Sequence, residues 1–452
     1  MRLPLQVQQY LDAHHAPCEV LIHRQVEAPQ QAAQAAYVPE EQLVRTVLLE
    51  DRRGPLLAVI TVAHRLDLAN LNRQLQRDLS PAARERARAL FPDCDPRALP
   101  PLAAAYGVKA IVDPELYELA EVYFQPGLGT ALLQMKGSDF RDLMADAWQG
   151  FRITEAGVRP RGESGPPRLD LKRRLREIHR LPAMPAMARR VLQVRANPYA
   201  GARELADVVE LDPSLTAQII RYARSPFFGY PGPVDSVQDA IARVLGYDLV
   251  MNIALGLASA APFRIQHSGP LGLAAFWRQA VYCAALTQNL AKALPLESRP
   301  RPGLAYLAGL LHNFGYLVLG QLFQTEFFWL NRQAAGRGDT PVWELERAML
   351  QTDHAELGEW LLTSWHLPPE VVTAVRHHHD PGYQGDYSLY PNLVLVANRL
   401  LATRGIGDEQ AGGPPEAMLD RLRLSPEQPE TILQAVLAAG HGLDAMAGHL
   451  AA

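Results

Sequence analysis

One discontinuity governs what this chain can fold into: strand-forming runs are confined to its first 150 or so residues, and from Leu169 onward they nearly vanish. In the amino-terminal region, LVRTVLLE (43–50) and PLLAVITVA (55–63) flank the turn-like Asp51-Arg52-Arg53-Gly54 and predict a hairpin apolar enough to be buried. LDLANLNRQLQ (66–76) follows with Leu66, Leu68, Leu71 and Leu75 at helical spacing, and VKAIVD and TALLQM supply later strands. In the carboxy-terminal region, amphipathic helices follow each other in unbroken succession. Leu205, Val208, Val209, Leu215, Ile219 and Ile220 follow the helical period, and Asp212-Pro213 marks a helix start with proline in its first turn. FWRQAVYCAALTQNLAKAL (276–294) has the length and period of a core helix. Between the two regions, FRITEAGVRPRGESGPPR (151–168) loses periodicity and gathers Gly, Pro, Arg and Glu, a composition that buries too little apolar surface to offset chain entropy.

At 452 residues the chain exceeds the size at which single cores stop growing, roughly 250 to 300 residues, so two domains are expected. The sequence therefore predicts an α+β domain over residues 1–146, a linker over 147–168 and an all-α domain over 169–446. With 44 basic and 48 acidic residues the net charge is -4, which leaves no excess cation for a nucleic-acid backbone, and no DNA partner is expected. The basic stretch Arg159, Arg161, Arg168, Lys172, Arg173, Arg174 and Arg176 reads as a solvated helix face. Cys18, Cys94 and Cys283 are odd in number and form no C-x-x-C pair, so neither a disulfide framework nor a zinc knuckle is indicated. The amino terminus meets polar residues before an apolar core of signal-peptide length has formed, and no run of about 18 apolar residues is expected anywhere in the chain. A cytoplasmic protein with no membrane partner is the expectation.

Three segments, LPAMPAMARRVLQV from Leu181, ELADVVELDPSLTAQIIRYARSPFFG (204–229) and SVQDAIARVLGYDLVMNIAL (236–255), resemble successive elements of HDOD domains, helical signalling-output domains related to the HD phosphohydrolases. Arg224-Ser225 departs from the Asn-Ser common there. YLAGLLHNFGYLVLGQL (306–322) looks like the segment that carries the His-Asp pair in the HD enzymes, where imidazole and bridging carboxylate hold a divalent metal that activates water. Here the pair is His312-Asn313. Gln279 stands where an early helix should supply a His, and Asn398 where a late helix should supply an Asp. What survives is His312, His354 and the run His377-His378-His379, of which no more than two can face one site because consecutive helical residues point about 100° apart. Three or four convergent imidazoles could hold Zn²⁺. Against this, every carboxylate position aligned with the HD pattern has lost its charge, so these positions are read as relics: no metal, no other cofactor and no phosphoester hydrolysis are expected. The resemblance then implies a catalytically inactive regulatory, signal-transduction module that docks a protein signalling partner.

Residues 1 to about 146 are similar to the YbaK and prolyl-tRNA editing family, through the 43–63 hairpin, the LDLANLNRQL helix, VKAIVDPELYELAEVYFQPG (108–127) and the terminal SDFRDLM (138–144). That resemblance implies a pocket for a tRNA 3′ end or an amino-acid-like ligand, with Arg45, Thr46, Asp113 and Gly127 as candidate pocket residues. Arg45-Thr46 stands where the family has Lys-Thr; arginine keeps the charge but is not a point-charge substitute. The loop from Phe91 to Pro101 keeps its prolines but lacks the family's glycines, and Asp93 and Asp95 would repel a tRNA phosphate. Cys94 has no base adjacent in sequence and reads as a small buried hydrophobe. Two functions follow from the whole: a ligand-sensing scaffold, or an aminoacyl-tRNA deacylase regulated by its helical domain.

Overall fold

The computed structural model describes residues 3–150, 153–155, 182–336, 340–409 and 412–451. The chain forms two compact units, Met1–Pro167 and Arg168–Ala452. The basic stretch 159–176 and most of the expected linker lie outside the described residues.

The first unit is α+β. Its strands are β1 (Glu19–Ile22), β2 (Leu43–Asp51), β3 (Gly54–Thr61), β4 (Arg65–Leu66), β5 (Ser80–Pro81), β6 (Lys109–Val112), β7 (Glu121–Phe124), β8 (Ala131–Lys136), β9 (Trp148–Gln149) and β10 (Thr154–Glu155). An eight-stranded mixed sheet runs β1-β8-β7-β2-β3-β6-β9, with β5 paired to β2. The hairpin expected at 43–63 is its centre, in register from Val44↔Thr61 to Asp51↔Gly54. Alternation places Val44, Leu48, Leu57 and Val59 in a core with Phe91, Phe124 and Phe140, and sends Leu49, Leu56, Ala58 and Ile60 to a second core with Leu71 and Ile111. Covered faces on both sides explain why these strands read as continuous apolar runs. The helix expected at 66–76 spans Leu68–Leu75, its amino end capped by Asp67, whose carboxylate accepts the Asn70 N–H at 2.8 Å.

The expected boundary at 146 is corrected. Ile111 pairs with Trp148 and Leu66 with Thr154, so ordered structure of the first unit continues into the segment assigned to the linker. Two-residue strands are too short to show a period, and the sequence around them carries only the Gly/Pro signature of a loop.

Among the described residues the second unit has helices and no strand. The helix expected at 276–294 is Leu273–Ala293, and it packs against helices Pro302–Leu311, Leu389–Ala402, Gln428–Ala438 and Gly440–Ala451. Asp212-Pro213 starts helix Pro213–Ala223 as expected, the Asp212 carboxylate accepting the N–H groups of Ser214 and Leu215 at 2.9 and 3.1 Å. Pro302–Leu322 has the length and mean hydropathy, 1.2, to cross a bilayer, contrary to the expectation that no such run occurs, but the whole of that apolar window is buried inside the unit. It is a core segment, broken at His312-Asn313 into helices Pro302–Leu311 and Phe314–Leu322. The latter meets helix His354–Ser364 backbone to backbone, because a side chain at Gly315 would strike the His354 carbonyl.

Candidate functional site

The break between those two helices is where the chemistry-bearing side chains converge. Leu273–Ala293 contributes Gln279, the break contributes His312 and Asn313, helix Val342–Leu350 contributes Glu346, and His354 opens its own helix. His378 and His379 follow helix Pro369–His377, Asn398 comes from Leu389–Ala402, and Asp408 and Glu409 lie on the loop after it. His312, His354 and His378 are wholly buried.

The partners of the ring nitrogens assign the tautomers. His312 Nδ1 lies 2.7 Å from the Gly309 carbonyl and His378 Nδ1 2.8 Å from the Val375 carbonyl, and a carbonyl only accepts, so both Nδ1 atoms carry protons. His354 Nδ1 donates to the Glu346 carboxylate at 2.9 and 3.0 Å, and His379 Nδ1 donates to Glu409. The four Nε2 atoms are left facing inward. Those of His378 and His379 lie 3.2 and 3.0 Å from that of His354, and the three lie mutually within 4.8 Å. His312 Nε2 instead faces the Gln279 amide at 3.3 Å. Burial lowers His312 to about 4 and takes His378 well below the usual imidazole range. Burial, the largest single influence, would lower His354 too, but the Glu346, Asp408 and Asp353 carboxylates together outweigh it and push His354 up to about 9.

Asp408 is the anion of the cluster. Gln279 Nε2 donates to its Oδ1 at 2.6 Å, Tyr316 OH and Asn313 Nδ2 donate to its Oδ2 at 2.8 and 3.3 Å, and Oδ2 lies 4.0 Å from His354 Nε2. Burial would raise this carboxyl, but the charges of His354, His379 and His312 hold it well below the usual range. Gly407, at φ 109°, brings the loop in: a side chain there would come within 2.8 Å of Gln279 Nε2.

The first unit offers a different site. A cavity of about 230 Å³ on β2 is lined by Arg45, Thr46, Arg84, Arg97, Leu99 and Gln125, among others. Thr46 is fixed by donating to the Leu99 carbonyl at 2.9 Å. Arg45 is half-buried, and its Nε, buried, has no hydrogen-bond partner among the described residues. Burial, and then the nearby charge of Arg65, lower its pKa, the direction expected for a cation that lacks an anion. Arg97, by contrast, is committed to Asp95 through two bonds of 2.9 and 3.1 Å.

Asp93 and Asp95 are not among the residues lining the cavity; Arg97 pairs with Asp95, and Asp93 accepts bonds from Tyr106 OH and the Gln6 N–H at 2.9 and 3.1 Å. Asp113 and Gly127 are not among the residues lining the cavity. Asp113 is buried and accepts from the Glu115 N–H at 3.1 Å and Thr154 OH at 2.7 Å, which makes it a cap. Gly127 accepts the Asp95 N–H through its carbonyl, and a side chain on it would strike Cys94 Sγ. Burial pushes the Cys94 thiol up to about 12, which keeps it protonated at neutral pH, packed against the core.

Residues 23–143 match the model of the aminoacyl-tRNA editing domain, and residues 181–381 match that of the HDOD domain. The chain is an editing domain fused to an HDOD domain. A crystal structure of a signal-transduction candidate from Marinobacter aquaeolei VT8 is similar over the full length of both chains, with 31% identity and a TM-score of 0.55. An HDOD domain protein of unknown function from Geobacter sulfurreducens is 21% identical over 59% of this chain and 87% of its own, with a TM-score of 0.47. A curated, uncharacterized Treponema pallidum (strain Nichols) protein is 25% identical over 252 residues, 56% of this chain and 48% of that one. The chain thus spans about half the length of that curated relative.

The HD resemblance implies a divalent metal, and the donor atoms of the HDOD domain decide what could fit. A carboxylate-bridged pair of hard ions does not. Gln279, Asn313 and Asn398 are neutral amides spent on one another: Asn313 Nδ2 donates to Gln279 Oε1 at 3.0 Å and Gln279 Nε2 to Asn398 Oδ1 at 3.4 Å. The imidazole set of His354, His378 and His379 is chemically different, and suits a single borderline ion. His377 takes no part; its ring stacks on Tyr383 at 3.8 Å. Sequence reasoning missed Asp408, Glu346 and Glu409, so the expectation of histidines bare of carboxylate is also corrected. The nearest signal was Gly405-Ile406-Gly407 directly before Asp408 and Glu409, a turn able to fold acids back onto the Asn398 helix.

Proposed function

We propose that this chain is a regulatory signal-transduction protein in which the HDOD domain docks a protein partner without hydrolysing phosphoesters, and the editing domain senses an amino-acid-like ligand, or a tRNA 3′ end, through Arg45. The observation that carries the reading is closure of the histidine cluster. His312, His354 and His378 are 0% exposed and Asp408 2%, so a phosphoester could reach the Nε2 atoms only if the core opened. The full-length protein, given Mn²⁺ or Mg²⁺, is expected to turn over neither cyclic dinucleotides, (p)ppGpp nor nitrophenyl phosphates above background. Asn313→Asp alone should create no activity, since Gln279 and Asn398 remain amides. Turnover that disappears in His312→Ala would sink the reading.

A second reading, aminoacyl-tRNA deacylation, is favoured by one observation, the buried Arg45 Nε, which has no hydrogen-bond partner among the described residues. Against it, the loop from Phe91 to Pro101 has no glycine to bring backbone donors onto an oxyanion, each worth roughly 3 to 4 kcal/mol, or 10² to 10³ in rate. With Ala-, Ser- and Pro-mischarged tRNAs, the full chain is expected to release no amino acid beyond the uncatalysed rate. Release that falls tenfold or more in Arg45→Ala would make the deacylase the better reading.

A further inference from the structure

The Nε2 atoms of three imidazoles converge, those of His378 and His379 lying 3.2 and 3.0 Å from that of His354, and a positive centre belongs among them: a proton on His354 or a metal ion in its place. We propose that the HDOD domain carries a closed, mononuclear site for a Zn²⁺-class ion, ligated by Nε2 of His354, His378 and His379 with Asp408 as the fourth donor. The site goes beyond the function proposed above and stands whether or not the domain docks a partner.

The spacing fits. A tetrahedral zinc with Zn–N of about 2.05 Å places its ligand atoms about 3.3 Å apart, and the Nε2 separations from His354 are 3.2 and 3.0 Å. Asp408 Oδ2, 4.0 Å from His354 Nε2, is the nearby oxygen of opposite charge. The outer partners fit as well. Ligating histidines characteristically give their other N–H to a carboxylate or a carbonyl, which fixes the ring and raises its basicity. Glu346, Glu409 and the Val375 carbonyl do this for the three rings, while Gln279, Asn313 and Tyr316 hold Asp408.

The donor chemistry selects the ion and its role. Three neutral nitrogens and one carboxylate suit a borderline cation and not Mg²⁺ or Ca²⁺, which need mostly oxygen. Four protein donors with no exposed position describe a structural site, since a catalytic zinc keeps one position for water or substrate. None of the altered HD positions is itself a ligand: Gln279 and Asn313 only hold Asp408, Asn398 is an amide outside the donor set, and His312 Nε2 is engaged by Gln279.

The test uses tag-free, full-length protein, stripped with a chelator and re-equilibrated with Zn²⁺ or, separately, Co²⁺. After gel filtration, elemental analysis should find about one equivalent of either ion, and the Co²⁺ form should show the strong visible absorption of four-coordinate cobalt. The double variant His378→Ala/His379→Ala should lose the ion. Because that change could disturb folding, Asp408→Asn, nearly isosteric, is read beside it on protein with a wild-type circular dichroism spectrum; its affinity should fall at least about tenfold. His312→Gln should keep the full equivalent. Wild-type protein retaining under about 0.2 equivalent of both ions, a six-coordinate cobalt spectrum, or full retention by the double variant would each overturn the site.

Discussion

Gly315→Val is expected to unfold the helical domain in conditions where the wild-type chain is folded. A Cβ at 315 meets the main-chain carbonyl of His354, which cannot rotate away as a side-chain tip would. The Phe314–Leu322 and His354–Ser364 helices would have to separate, and His354 would move off Glu346 with them. Overpacking costs about 1 to 3 kcal/mol where side chains can yield, and a backbone clash belongs at or above the top of that range. Urea denaturation of the full chain, followed by far-ultraviolet circular dichroism, measures it. A loss below about 1 kcal/mol would show that the helices do not approach as described.

Glu346→Ala should be nearly as damaging for a different reason. Glu346 is fully buried and accepts the His354 main-chain N–H at 2.7 Å as well as its Nδ1–H. Removing it strands two donors in the core, one on a ring that its carboxylate had driven toward the charged form. Breaking a buried charge pair from one side costs roughly 3 to 5 kcal/mol. Glu346→Gln keeps one carbonyl oxygen for one of those donors and should cost about 1 to 2 kcal/mol. Unfolding curves that place the two variants together, both within about 1 kcal/mol of wild type, would rule out the structural role assigned to this acid.

What can be read from sequence is what repeats locally. The 43–63 hairpin, the start at Asp212-Pro213 and the core helix bounded by Leu273 and Ala293 all announce themselves through period or capping within a dozen residues. β9 and β10 hold two residues each, too few for alternation, and so the sequence pattern ends the first unit too early. The candidate site is legible only where a motif marks it. His312, Asn313 and His354 sit in segments with a recognisable pattern, whereas Asp408 reaches Gln279 across 129 positions and Asn313 across 95. A carboxylate on a loop leaves no trace of such a contact. The same holds for Asp95, whose charge is neutralised by Arg97 two residues along, a pairing that spacing alone could not distinguish from an exposed acid.

The polar contacts of the histidine cluster have a mechanical consequence. They join Leu273–Ala293, the His312-Asn313 break, Val342–Leu350, His354–Ser364, the end of Pro369–His377 and the 408–409 loop through a single interior knot. None of these segments can peel away without exposing a buried donor or carboxylate on another, so local fraying there is as costly as opening the domain. These segments should open as one cooperative unit and stay rigid between openings. A partner would then meet a surface already set in shape, with little ordering entropy lost on contact, and discrimination among partners would rest on fit more than on folding around them.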